Sequence, residues 1–124
     1  MNSAVLLGVT VVVLVYFVIT RFLKKGISSG GVSLKEILSN GALLVDVRSA
    51  GEFSQGHIKG AINIAYDTIA NNLGRLPKGK DIVLYCASGA RSSAAMATLR
   101  SNGYERVYNA GSIGALRKAL GQAG

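Results

Sequence analysis

The sequence predicts an α/β fold: a parallel sheet covered by helices on both faces, preceded by one transmembrane helix. Three observations lead there. Short apolar runs alternate with stretches of helical character, the pattern of strands joined by crossover helices. Two of those runs, at 42–47 and 82–85, are apolar on successive residues, as strands buried on both faces are. Residues 4–20 are almost uninterrupted apolar sequence followed by Arg21, Lys24 and Lys25.

The N-terminal run comes first in the chain. About 20 apolar residues cross a hydrocarbon core of ~30 Å, and Arg21 can snorkel to the surface. Tyr16 and Phe17 sit toward the basic end, as interfacial anchors do. A cleaved signal peptide is disfavoured: Met1-Asn2-Ser3 carries no basic side chain, and the positive charges follow the run. The expected organisation is a transmembrane helix at 1–25, a Gly/Ser linker at 26–31 and a soluble domain at 32–124. The positive-inside rule puts the N-terminus outside an inner, cytoplasmic membrane and the soluble domain in the cytosol, where a free thiol survives.

The soluble domain reads in order as follows. Ser33-Leu34-Lys35-Glu36 has the capping-box pattern, and Asn40-Gly41 stops the helix it opens. Residues 42–47 form a central strand. A short helix over 50–54 and a turn-rich loop over 55–60 lead to a strand at 61–64. A helix over 66–73 and a loop over 76–80 precede the strand 82–85. The helix 91–102 ends at Gly103. A last strand at 106–109 turns through Ala110-Gly111 into an amphipathic helix over 112–120. In such a sheet ligands gather beyond the carboxyl ends of the strands, where Asp46-Val47-Arg48 and Cys86 both fall.

The chain has 124 residues, a net charge of +8, one cysteine and one histidine. One cysteine excludes an internal disulfide, and the pair of residues is too few for a His/Cys metal cluster. No metal or cofactor is expected. The basic residues are dispersed and lack interleaved aromatics, so the charge implies attraction to anions and a membrane surface rather than nucleic acid. Membrane lipid is therefore an expected partner and nucleic acid is not.

Cys86-Ala87-Ser88-Gly89-Ala90-Arg91 lies between the strand 82–85 and a helix N-terminus. The small residues Ala87, Ser88, Gly89 and Ala90 let backbone N–H groups converge into a nest that binds anions and favours a thiolate. Arg91 adds a permanent positive charge able to face an anionic substrate. Cys86 is the candidate nucleophile.

Several stretches resemble the rhodanese family of sulfurtransferases in its single-domain form. They are Leu44-Val45-Asp46-Val47-Arg48, Glu52-Phe53-Ser54-Gln55-Gly56-His57-Ile58-Lys59-Gly60-Ala61-Ile62-Asn63-Ile64, the Cys86 loop with Gly89 and Arg91, and Tyr108-Asn109-Ala110-Gly111-Ser112-Ile113. The last departs from the family: Gly111-Ser112 stands where Gly-Gly is common, and Leu116 near a usual tryptophan. The resemblance covers most of 32–120 and leaves the apolar N-terminus outside. It implies a rhodanese-like fold and double displacement through a Cys86 persulfide. The donor is a small anion such as thiosulfate, or a persulfide; the acceptor is a thiol or a protein cysteine. Backbone N–H groups from Ala87 to Arg91 would stabilise the sulfur anions, and Arg91 would orient the donor. Related phosphatases have five residues between Cys and Arg. Here there are four, as in the family's sulfurtransferases, so the resemblance implies a loop sized to sulfur and disfavours a cysteine phosphatase or arsenate reductase. A further alternative is a membrane-tethered sulfur carrier or docking module with little turnover.

Other residues carry two readings. Asp46 either tunes the loop or braces backbone at its strand end. Arg48 either draws in substrate or pairs with Glu52 or another acid. Ser88 and Ser92 either donate to the sulfur or serve as turn and cap. His57 is expected to be a hydrogen-bonded structural residue rather than a base, since a preformed thiolate needs none.

Overall fold

Among the described residues, four strands form one parallel sheet in the order β2-β1-β3-β4. The computed structural model describes residues 8–19 and 33–122. The chain divides into two compact units, Met1–Ser33 and Leu34–Gly124.

In the first unit, residues 8–19 form a helix, α1, whose apolar side chains from Val9 to Ile19 are exposed. The twelve described residues of this helix rise about 18 Å. No helix among the described residues is long and apolar enough to cross a membrane. The predicted transmembrane helix at 1–25 is not shown as a span among the described residues. Its flanks at 1–7 and 20–25, and the predicted linker at 26–31, lie outside the described residues.

The second unit begins with α2 (Leu34–Ser39), followed by β1 (Leu43–Asp46), α3 (Ala50–Gln55) and β2 (Ile62–Asn63). A 3-10 segment (Tyr66–Arg75) then leads to β3 (Ile82–Cys86), α4 (Ala90–Ser101), β4 (Val107–Ser112) and α5 (Ile113–Leu120). The alternation of β3 sorts its side chains between two cores. Ile82, Leu84 and Cys86 join Val45, Ile69, Ala95 and Leu99 on one face. Val83 and Tyr85 join Ile37, Ile58 and Leu116 on the other. All five β3 residues are buried, as their unbroken apolar run requires. Each fully buried aliphatic side chain contributes about 1.5–3 kcal/mol.

Three local differences from the sequence expectation have physical causes. The stretch expected to be a helix at 66–73 is 3-10 and extends to Arg75, with a non-helical kink at Asn72. Only Ile69 along it is buried, so one anchor point replaces a continuous apolar stripe. The strand expected at 61–64 pairs only at Ile62 and Asn63, against Val45 and Asp46. Strand β4 runs three residues past its expected end: Leu84 pairs with Asn109, but Tyr85 pairs with Gly111. The extra residue, Ala110, makes a bulge beside the site, and pairing then continues to Cys86 and Ser112.

The topology also locates the site. From β1 the chain passes to β2 on one side, while β3 pairs on the other. The switch between β1 and β3 opens a crevice at their carboxyl ends, where Asp46 and Cys86 terminate the two strands.

Candidate active site at the end of β3

Cys86 is the last residue of β3, and Gly89 caps the N-terminus of α4. Gly89 has φ 101°, a left-handed conformation that a side chain resists. A Cβ there would also come within 3.4 Å of the Gly111 Cα. This turn aims the Gly89 N–H at the Cys86 Sγ, at 2.9 Å. The Ser92 N–H reaches the same sulfur at 3.4 Å, as does the Ser92 hydroxyl at 3.4 Å. Burial pushes the Cys86 thiol up, but hydrogen bonds from the Ser92 hydroxyl and the N–H groups of Ser92, Gly89 and Ser88 outweigh it. The net displacement is below the ordinary thiol value, toward thiolate.

Ser92 is itself held. Its Oγ lies 2.6 Å from Asn109 Oδ1 and 3.0 Å from the Gly89 carbonyl. One hydroxyl proton cannot serve these acceptors and the sulfur together. Asn109 Oδ1 also accepts from the Gly111 N–H at 2.9 Å, so it keeps a donor when the hydroxyl turns to the thiolate. Asn109 Nδ2 donates to Ser93 Oγ at 2.9 Å and to the Gly89 carbonyl at 3.4 Å. This amide therefore ties β4 to the start of α4.

Of the residues singled out from sequence, Gly89 directs its backbone N–H at the sulfur, and Ser88's adds to the pull on the thiol. Ala87, Ser88 and Ala90 are exposed, whereas Cys86 is buried. Arg91 is half-buried and makes a two-point ion pair with Glu52: Nη1 to Oε1 at 2.7 Å and Nη2 to Oε2 at 3.0 Å. The Glu52 hydrogen bond, above all, keeps Arg91 charged, and the Cys86 charge adds to this. Glu52 in turn is pulled down to about 2, first by Arg91 and then by the Ser49 backbone.

Arg48 corrects the expectation that it binds substrate. It is buried, and its guanidinium grips both Asp46 oxygens at 2.7–3.0 Å while Nη2 donates to the Gly56 carbonyl at 2.6 Å. Asp46 also accepts the Arg48 backbone N–H at 2.9 Å, the bracing role at a strand end. His57 Nδ1 donates to the Phe53 carbonyl at 2.9 Å, and its ring stacks on Phe53 at 3.7 Å, a structural arrangement.

Sequence reasoning missed Glu52 as the partner of Arg91, and missed Asn109. A signal for Glu52 was present: Ser49-x-x-Glu52 fits the capping-box pattern that α3 adopts. Nothing local marks Asn109, because the bulge and the approach of α4 to β4 are tertiary features.

Comparison with known proteins gives relatives of the domain that carries these residues. Residues 32–115 match the family described as Rhodanese-like domain. A protein of Allochromatium vinosum named sulfurtransferase is 40% identical over 83 residues, covering 67% of this chain and 78% of that one. A tRNA uridine(34) hydroxylase of Erwinia tasmaniensis is 39% identical over 74 residues, but the chain spans only 21% of it. The human single-domain sulfurtransferase superposes with a TM-score of 0.59 at 30% identity, over 73% of this chain and 92% of that one. An E. coli rhodanese with anions gives 0.57 at 30% identity, over 60% and 89%.

Proposed function

The chain belongs to the rhodanese-like sulfurtransferase family, and within it we propose a membrane-anchored enzyme that carries sulfane sulfur on Cys86. The Cys86 thiolate attacks the outer sulfur of a donor such as thiosulfate. A bond forms between Sγ and that sulfur, the donor's S–S bond breaks, and sulfite leaves with the electron pair. A thiophilic acceptor, a thiol or protein cysteine, then takes the outer sulfur and returns the thiolate. The observation that carries this reading is the Cys86 sulfur itself, held by the Gly89 N–H and by the N–H and hydroxyl of Ser92 at the N-terminus of α4. Those groups stabilise negative charge on sulfur before and after transfer. Cys86 is buried, and its neighbours along the loop, Ala87, Ser88 and Ala90, are exposed.

The anchor is supported by the apolar run at 4–20, the basic residues after it and the exposed valines and leucine of α1. With that anchor the N-terminus lies outside and the catalytic domain in the cytosol.

Mass spectrometry after thiosulfate treatment is expected to show one added sulfur on the wild-type chain and none on Cys86→Ala. Cyanide should discharge it as thiocyanate. Equal thiocyanate release from both proteins would overturn the enzyme reading. Carbonate-washed membranes should retain the full chain and release one lacking residues 1–25.

A further inference from the structure

The charge around Cys86 is not what the whole chain's charge implies. The protein is +8 overall, which favours anions at long range. At the site, the guanidinium that would meet an anionic donor is already occupied. Glu52 takes both of its terminal nitrogens, at 2.7 and 3.0 Å. Glu52 is not a mobile side chain that happens to lie close. Its Oε1 also accepts the Ser49 N–H at 3.3 Å and the Ser49 hydroxyl at 3.0 Å, while its own N–H donates back to Ser49 Oγ at 3.2 Å. The carboxylate is fixed by α3 before any donor arrives. With the Cys86 thiolate formed, the cluster holds one cation against two anions.

We propose that Glu52 determines donor class: by neutralising Arg91 it disfavours dianionic donors such as thiosulfate and tunes the site to singly charged persulfides. The inference rests on the Cys86 persulfide reading and deepens it. A persulfide donor balances in the same way. The thiolate attacks its terminal sulfur, a Cys86 persulfide forms, and the donor's inner sulfur departs as a thiolate. Only one negative charge then approaches the cluster instead of two. The remaining Arg91 hydrogen-bonding capacity and the loop N–H groups suffice to orient it.

The test compares wild type, Glu52→Gln and Glu52→Asp, all as the full chain, with two donors. These are thiosulfate and the persulfide of 2-mercaptoethanol, which carries no charge beyond its sulfur. Glutamine preserves the capping box and the shape while removing the charge. Aspartate keeps the charge and retracts it from Arg91. Glu52→Gln should raise kcat/KM for thiosulfate roughly tenfold at low salt and for the persulfide only about threefold, since repulsion scales with donor charge. The gain should shrink as salt rises. Glu52→Asp should gain less than Glu52→Gln with thiosulfate. Equal gains for the two donors, or none, would overturn the proposal. If Glu52→Gln does not fold, wild type decides alone: the persulfide should exceed thiosulfate in kcat/KM, and a preference for thiosulfate overturns the assignment. Failure of both donors to load Cys86 in wild type defeats the sulfurtransferase reading itself, an outcome visible by mass before any variant is made.

Discussion

The carboxyl ends of β1 and β3 pair side by side, yet they use the same kinds of residue in opposite ways. At the end of β1, Asp46 and Arg48 close on each other. The carboxylate takes three hydrogen bonds from the guanidinium and one from the Arg48 backbone, and a fourth guanidinium bond goes to Gly56. Asn63 Nδ2 then donates to the carbonyls of Asp46 and Arg48, at 3.0 and 2.9 Å. At the end of β3, donors converge on a sulfur that has no opposite charge in hydrogen-bond contact. The nearby arginine, Arg91, is drawn aside by Glu52 and remains partly exposed. A buried ion pair with every group satisfied holds a fold in register; donors aimed at one polarizable atom prepare a reaction. The two arginines differ in function because they differ in burial and in partner.

Breaking the β1 end should have the largest effect on stability. Arg48→Met leaves the Asp46 carboxylate buried without its partner and is expected to cost about 3–5 kcal/mol. Urea unfolding measures it, and the rate of persulfide formation per folded molecule should change little. If Arg48→Met slows sulfur loading on protein that remains folded, the contrast between the two ends is wrong. Gly89→Ala comes next. Its φ of 101° and the close Gly111 Cα predict a loss of about 1–2 kcal/mol, with slower loading of Cys86 because the 2.9 Å donor is displaced.

Ser92→Ala should have the smallest effect on stability, about 1 kcal/mol, since Asn109 Oδ1 keeps the Gly111 N–H. Its signature is in pH. The wild-type thiol is lowered despite burial, with the Ser92 hydroxyl the largest of the groups that lower it. The loading rate of the variant should therefore rise to its plateau at a higher pH than that of wild type. The stability profile follows the same sign. A folded-state value below the unfolded one makes the thiolate's contribution fully present above the unfolded value and lost as pH falls through the folded one. Ser92→Ala should flatten that dependence.

Much of the fold was legible because its signals are local. The unbroken, β-branched apolar run Ile82-Val83-Leu84-Tyr85 fits a strand covered on both faces, and alternation with helices fits a parallel sheet. The strand–turn–helix around Cys86 was legible for the same reason, since small residues next to one cysteine leave few backbone choices. The 3-10 character of Tyr66–Arg75 was not, because it depends on how one buried anchor, Ile69, meets the core. The fate of Arg48 was open in the sequence, where Asp46, Glu52 and substrate were all available to it. Burial decided it.

By itself, then, the sequence determined the layered α/β domain, the candidate nucleophile and the four-residue spacing to Arg91, because periodicity and chain spacing act over a few residues. The tertiary structure decided where the charges went. It brought Glu52 from α3 to Arg91, brought Asn109 through the β4 bulge to Ser92, and closed Arg48 onto Asp46. Electrostatic partners are chosen by distance and desolvation in three dimensions, and neither quantity is written in the order of the residues.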